Sequence, residues 1–263
     1  MERILLYVHF NKFNHISGHV FYQLEQLKPL FSKIIFISNS PLSDEDKCRL
    51  VEDLGISDLL ERDNRGFDFA AWRDGMNWLG FDTLQNSDSL TLMNDTCFGP
   101  LWDLEPIYKR FEADSQVDFW GMTNFRKTKY FEEHLQSYFV TFKQSVLKDK
   151  VFYEFWSQVE DFTDVQDVID HYETQFTKRF VEAGFRYQAL FDTRQEEAGE
   201  LVHPDFSYYK PLRILEAKVS FLKVKALTGN PFLARYLLED LETNSSYPTS
   251  LIREHLFYHF GSD

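Results

Sequence analysis

The stretch TLMNDTCFGP, residues 91–100, runs an apolar segment straight into Asn94, Asp95 and Thr96. A strand ending in such a turn offers oxygen ligands beyond its carboxyl end, which is where open α/β sheets bind their ligands. A carboxylate there suits a diphosphate and a divalent cation, since hard cations take oxygen donors. The same residues also make an ordinary Asx-capped turn. A second constellation lies in NRGFDFAAWRDGM, residues 64–76, where the turn residues Asn64 and Gly66 precede a helix whose first amides can hold an anionic or hydrogen-bonding ligand. Asn64 and Asp68 either meet that ligand or cap the helix. Arg73 lies off the helical stripe of Asp68, so one of the two faces the crevice and the other a structural partner.

A third set is HLQSYFVTF, residues 134–142. Strand alternation puts His134, Gln136, Tyr138 and Val140 on one face. Such a face can read sugar hydroxyls and stack on a pyranose ring, although a lone strand histidine is more often a structural residue satisfied in place.

The elements that must position these groups follow from hydrophobic patterning. Residues 4–9 and 33–38 alternate little, as strands covered on both faces do, and an amphipathic helix between them completes a βαβ unit. Ser43 opens the next helix with Asp46 three residues on, and Gly55 closes it. Short strands are expected at 59–62, 90–93 and 118–122, with a helix over 102–111. The second half holds helices over 145–159 and 165–182, the latter stopped by Gly184, and a strand over 185–190 that returns to the sheet. Residues 195–201 read as a loop, 212–227 as an amphipathic helix, and a further helix starts at Ser250. The fold class is therefore α/β with a mostly parallel central sheet.

The chain has 263 residues, 43% hydrophobic, with 27 Phe and 13 Tyr, enough for one large domain or a domain with an appendage. A net charge of −14 excludes general nucleic-acid binding, which needs clustered basic residues. Cys48 and Cys97 have no zinc or disulfide spacing, which fits a reducing compartment. No run is long and apolar enough for a signal peptide or a spanning helix. Against the acidic background, Lys210, Arg213, Lys218, Lys223, Lys225 and Arg235 cluster around Tyr208, Tyr209, Phe221 and Leu222. Such a composition suits either a helix lying on an anionic membrane surface or one packed on the domain with its lysines in water.

Taken in order, NRGFDFAAWRDGM, LMNDTCFGP, DFWGMT, HLQSYF and YETQFTKRFVEAG resemble the rhamnan synthesis protein F family of bacterial glycosyltransferases, and the resemblance covers nearly the whole chain. It implies a GT-A-like, Rossmann-type nucleotide-sugar fold over residues 1–207, with a helical region, 208–263, packed on it as one structural unit. In the wider GT-A pattern an acidic pair opens a helix carrying spaced Arg and Gly. Arg179 and Gly184 keep that spacing and set Glu173 on the catalytic-base position, while Tyr172 replaces the first acid. The usual Asp-x-Asp is reduced to Asp95. His203 stands where a carboxyl-terminal histidine would join Asp95 in holding Mg²⁺ or Mn²⁺, and Arg73 takes the place of a donor-site arginine, shifted in position.

The implied function is inverting transfer of a sugar, L-rhamnose from dTDP-rhamnose, to a hydroxyl of a polyprenyl-linked surface glycan. Glu173 is the base; Asn64, Gly66, Asp68, Arg73, Asn94 and Asp95 are the donor site; His134, Gln136 and Tyr138 are the acceptor site. The expected place is the cytoplasm, at the inner face of the plasma membrane through peripheral association. The reduced Asp-x-Asp and missing first acid also admit an inert nucleotide- or sugar-binding subunit of an assembly complex. A nucleotide-sugar epimerase or dehydratase is disfavoured, because HFNKFNHISGH follows the first strand in place of GxGxxG.

Overall fold

In a computed structural model, which describes residues 1–197, 199, 202–229 and 231–261, the strands are β1 (Arg3–His9), β2 (Lys33–Ser38), β3 (Asp58–Glu61), β4 (Ser89–Asn94), β5 (Cys97–Phe98), β6 (Phe119–Phe125), β7 (His134–Leu135), β8 (Phe139–Lys143), β9 (Tyr187–Phe191) and β10 (Leu222–Lys223). An eight-stranded sheet runs β3-β2-β1-β4-β8-β6-β7, with β9 also on β6. β1 to β4 are mutually parallel and β9 is parallel to β6, while β8 and β7 run antiparallel to their neighbours. The expected α/β architecture with a mostly parallel sheet is the one observed.

Both faces of this sheet are covered, which explains why its strands read as continuous apolar runs. Ile4, Leu6 and Val8 of β1 face a core built with Trp72 and Met76 of the helix Phe67–Leu79 and with Phe152, Trp156 and Phe180 of later helices. The alternate residues Leu5 and Tyr7 face Val20 and Leu24 of the helix Gly18–Leu27 and Phe111 of the helix Glu105–Ala113. Local signals hold where they were legible: Ser43 Oγ accepts the Asp46 amide at 3.0 Å, and Gly55 (φ +64°) and Gly184 (φ +97°) take the left-handed turns that end their helices.

Two expectations are corrected. Residues 134–142 are not one strand: β7 and β8 are separated by a turn at 136–138, so strand alternation does not set the directions of His134, Gln136 and Tyr138, although Gln136 and Tyr138 both meet the Thr123 hydroxyl. Nor is 212–227 one amphipathic helix. It breaks into the helix Pro211–Glu216, a turn in which Lys218 has φ +58°, β10, and the helix Val224–Thr228. The short β10 pairs antiparallel with β5, so the carboxyl-terminal region contributes strand as well as helix. Leu215, Leu222, Leu237 and Leu241 build a satellite core on Phe98 and Leu101, and the helix Phe206–Tyr209 runs across the 207/208 boundary. Three residues of the expected 195–201 loop, Ala198, Glu200 and Leu201, lie outside the described residues.

The helix Phe67–Leu79 starts from Gly66, whose φ of +67° is left-handed and whose amide donates to the Phe162 carbonyl at 2.7 Å. A Cβ at Gly66 would stand 2.4 Å from Ala70 Cβ and 3.0 Å from the Glu160 carbonyl oxygen. Left-handed strain and overpacking then act together, and Gly66→Ala is predicted to destabilise by about 2–4 kcal/mol. A urea midpoint within error of wild type would contradict this account of the helix start.

Candidate active site

β1 lies between β2 and β4, so the chain order reverses there and the carboxyl ends of β1 and β4 border a crevice. At the end of β1 the buried His9 ring places Nδ1 3.1 Å from Ser38 Oγ at the end of β2, and Nε2 3.9 Å from Asp95 Oδ2 just past β4. Asp95 Oδ2 also accepts the Phe10 amide at 3.0 Å. Three strand ends are thus tied together by two side chains. Burial pushes His9 down to about 3, so the ring is neutral at physiological pH. Burial, reinforced by the nearby Asp68 charge, pushes Asp95 up to about 7.

Asn94 is held at both ends of its amide. Its Oδ1 accepts from the Thr96 amide at 3.2 Å and from Thr96 Oγ1 at 2.6 Å, an Asx turn. Its Nδ2 donates to Asp68 Oδ2 at 2.7 Å, joining the end of β4 to the first turn of the helix Phe67–Leu79. Burial raises Asp68 to about 6, opposed by the Asn94 hydrogen bond and reinforced by the charge of Glu173.

Glu173 arrives from the far side. It ends a wide helical turn, Ile169–Glu173, set between the helices Val165–Val168 and Thr174–Glu182. Its Oε1 accepts from Ser137 Oγ at 2.9 Å and from the Ser137 amide at 3.3 Å, in the turn that separates β7 from β8. Glu173, Asp68, Asn94 and Tyr138 line one cavity of about 200 Å³, with Lys223 and Lys225 beside them. Lys223 reaches it because β10 pairs with β5, setting Lys223 opposite Cys97. Its Nζ lies 3.4 Å from Asp205 Oδ2 and 5.8 Å from the Tyr138 ring centre. Two acids, an amide and two ammonium groups in one crevice can deprotonate a hydroxyl and balance a departing anion.

The sequence-predicted residues divide clearly. Glu173, Asp68, Asn94 and Tyr138 come together in the cavity, and Asp95 sits beside it against His9. Gly66 supports the site from behind, its amide committed to Phe162, and Asn64 lies half-buried in the preceding turn. Arg73 is the structural member of its pair: it bonds Asp74 Oδ1, the Val159 carbonyl at 2.6 Å and Asp161 Oδ1 at 2.8 Å, while Asp74 Oδ2 receives Arg62 at 2.8 Å. Gln136 is buried, accepting from Ser207 Oγ at 2.6 Å and donating to Asp205 at 3.1 Å. His134 is buried too, stacked on Phe125 with Nδ1 2.9 Å from the Glu132 carbonyl.

His203 packs against Phe131 and Tyr209, and its Nδ1 accepts the Asp205 amide at 3.0 Å. No group of three or more His, Cys, Asp or Glu suited to a metal ion is assembled among the described residues. The Asn94 Oδ1 is spent on Thr96. Asp95 is engaged by the Phe10 amide and His9, and His203 by the Asp205 amide, so each expected metal ligand already has a protein partner. Sequence reasoning missed His9, Ser137, Lys223 and Lys225. The basic cluster containing the lysines was visible, but its pairing with β5 was not.

A larger cavity, about 950 Å³, lies elsewhere, bordered by Arg3, Trp102, Glu105 and Glu112. It sits at the amino end of β1, and Arg3 is already paired with Glu112 at 2.7 Å and Glu105 at 3.0 Å. That is the wrong edge of the sheet for a switch-point ligand.

An uncharacterised protein of Sinorhizobium fredii is 27% identical to this chain over 92% of its length, and the virulence protein VirA of Vibrio anguillarum is 30% identical over 50%. The chain spans 61% and 41% of those two proteins. Among solved structures it is similar to HddC from Yersinia pseudotuberculosis, with TM-score 0.45 and 10% identity over 73% of this chain and 90% of that one. It is also similar to a glycosyltransferase involved in glycosylation of the major capsid of PBCV-1, with TM-score 0.42 and 11% identity over 92% and 100%. The profile of one family, described as rhamnan synthesis protein F, matches residues 34–260 and so runs from within β2 through the last helix, Asp68, Asn94, Glu173 and both cavity lysines included. The chain belongs to the rhamnan synthesis protein F family.

Proposed function

We propose that this chain is an inverting glycosyltransferase of surface-polysaccharide synthesis, moving a sugar from a nucleotide donor to a glycan hydroxyl. The observation that carries the reading is Glu173 sharing a cavity of about 200 Å³ with Asp68, Asn94 and two lysines at the carboxyl ends of the parallel strands. Family membership supports the polysaccharide, and within it L-rhamnose from dTDP-rhamnose is the proposed donor and a polyprenyl-linked glycan the proposed acceptor. Work on such an acceptor belongs at the cytoplasmic face of the membrane. No helix among the described residues is long and apolar enough to cross one.

The chemistry is a single displacement. The acceptor oxygen attacks the anomeric carbon, its proton passes to Glu173, and the bond from that carbon to the diphosphate oxygen breaks on the opposite face. Ser137 holds Glu173 through Oε1 only; Oε2 makes no hydrogen bond among the described residues and is the atom assigned to the proton. Asn94 keeps Asp68 oriented on the donor side of the cavity.

The direct test is incubation with a panel of nucleotide sugars and a rhamnose-terminated acceptor, with and without Mg²⁺ or Mn²⁺. A lengthened glycan with inverted anomeric configuration supports the reading. Donor binding without transfer under every condition would point to a non-catalytic binding subunit.

Glu173→Gln keeps the Ser137 contacts but removes the proton acceptor, so turnover is expected to fall roughly a hundredfold or more with donor affinity retained. Normal turnover in that variant would remove Glu173 from the mechanism. The Asp95 shift gives a second expectation. Its carboxyl ordinarily titrates near 3.8 and is raised to about 7 in the fold, so the native state holds more protons than the unfolded chain between those values. Stability therefore declines as pH rises through that window. Asp95→Asn removes the burden while keeping an acceptor for the Phe10 amide. Its melting temperature relative to wild type should be higher at pH 8 than at pH 4, and a difference independent of pH would refute the shift.

A further inference from the structure

Any diphosphate entering this crevice meets Asp68 and Glu173, both acidic, with Asp95 adjoining. Positive charge must come from somewhere, and among the described residues no group of three or more His, Cys, Asp or Glu forms a cation site made by the protein alone. Arg62 and Arg73 are already engaged with Asp74 and Asp161, and Arg65, exposed in the turn before the donor-side helix, is not among the residues that line the cavity. The basic side chains that line the cavity are Lys223, in the strand that pairs with β5 directly after the Asn94-Asp95-Thr96 turn, and Lys225, in the helix Val224–Thr228 that follows it. Lys223 Nζ is held by Asp205 at 3.4 Å, which fixes the ammonium on the cavity wall yet uses one of its three donors. Lys225 is exposed at the rim.

We infer that Lys223 and Lys225 bind the diphosphate of the donor and carry the charge of the leaving group, so that nucleotide binding by this chain does not depend on a divalent cation. The inference rests on the glycosyltransferase reading and deepens it. It also reassigns the cluster that the sequence offered to a membrane surface: two of its lysines face the crevice. In the displacement step the electrons of the breaking carbon–oxygen bond pass to the diphosphate oxygen, where the two ammonium groups stabilise the added negative charge.

The test is calorimetry of dTDP, UDP, GDP and inorganic pyrophosphate on the full chain in EDTA, repeated with Mg²⁺. The variants are Lys225→Met, Lys223→Met and, as a control far from the crevice, Lys109→Met. Lys225 is exposed, so its variant retains the fold even where loss of the Lys223–Asp205 contact disturbs the other. The expected result is nucleoside diphosphate binding by wild type in EDTA, weakened roughly tenfold or more in each cavity variant, as loss of a charge-assisted contact implies, and unchanged in the control. Binding that disappears in EDTA, or that Lys225→Met and Lys223→Met leave intact, overturns the inference. If wild type still transfers sugar in that case, the glycosyltransferase reading stands without it. If wild type binds none of the four probes with or without Mg²⁺, both fall.

Discussion

The hydrogen bond from Asn94 to Asp68, 2.7 Å long, is the contact on which the rest of the site depends. It joins the last residue of β4 to the opening turn of the helix Phe67–Leu79, two elements that the sheet topology brings side by side but does not itself connect. The Thr96 contacts hold the other end of the same amide, so the orientation of the group is fixed and Asp68 is kept aimed inward. Gly66 allows the helix to start in that position, and the Arg62, Asp74, Arg73 and Asp161 ion pairs brace the turn from behind. An unpaired Asp68 in this half-buried place would carry its desolvation cost without compensation.

The electrostatics of the crevice are otherwise unfavourable for an empty protein. Asp68 and Asp95 are both pushed toward the neutral form, chiefly by burial, and His9 is held neutral beside them. Groups displaced from their ordinary range and gathered at a switch point are what a ligand-binding site looks like before its ligand arrives. Two lysines from a segment more than a hundred residues downstream line the same cavity as Asp68. The carboxyl-terminal region thus completes the site as well as covering the apolar surface of Phe98 and Leu101.

Much of this was legible in the sequence, for reasons that are local. β1, β2 and β4 announce themselves as apolar runs because both of their faces are covered. Asp68 and Asn94 were legible because they sit at element ends, where polar residues must answer to backbone or ligand. Glu173 was found through a family pattern of spacing, and the structure puts it in the same cavity as Asp68. What was not legible depends on long-range pairing. Alternation over 134–142 suggested one strand, but Gln136 is drawn into a buried network with Thr123, Asp205 and Ser207, which bends the chain into a turn and leaves Ser137 to hold Glu173. Lys223 and Lys225 read as part of a surface helix because nothing nearby signals that Leu222 and Lys223 will pair with Phe98 and Cys97. Arg73 was ambiguous on spacing alone, and Asp161, a distant partner, decided it.

The central claim is positional: the donor lies at the carboxyl ends of β1 and β4, between Asp68 and the two lysines, with its sugar toward Glu173. A crystal structure of the chain with a bound nucleoside diphosphate tests this most directly. The account predicts the diphosphate against Lys223 and Lys225, within reach of Asn94 and on the same side as Glu173. Density for the nucleotide in the cavity bordered by Arg3 and Trp102 at the opposite edge of the sheet, with the crevice beside Glu173 vacant, would contradict it.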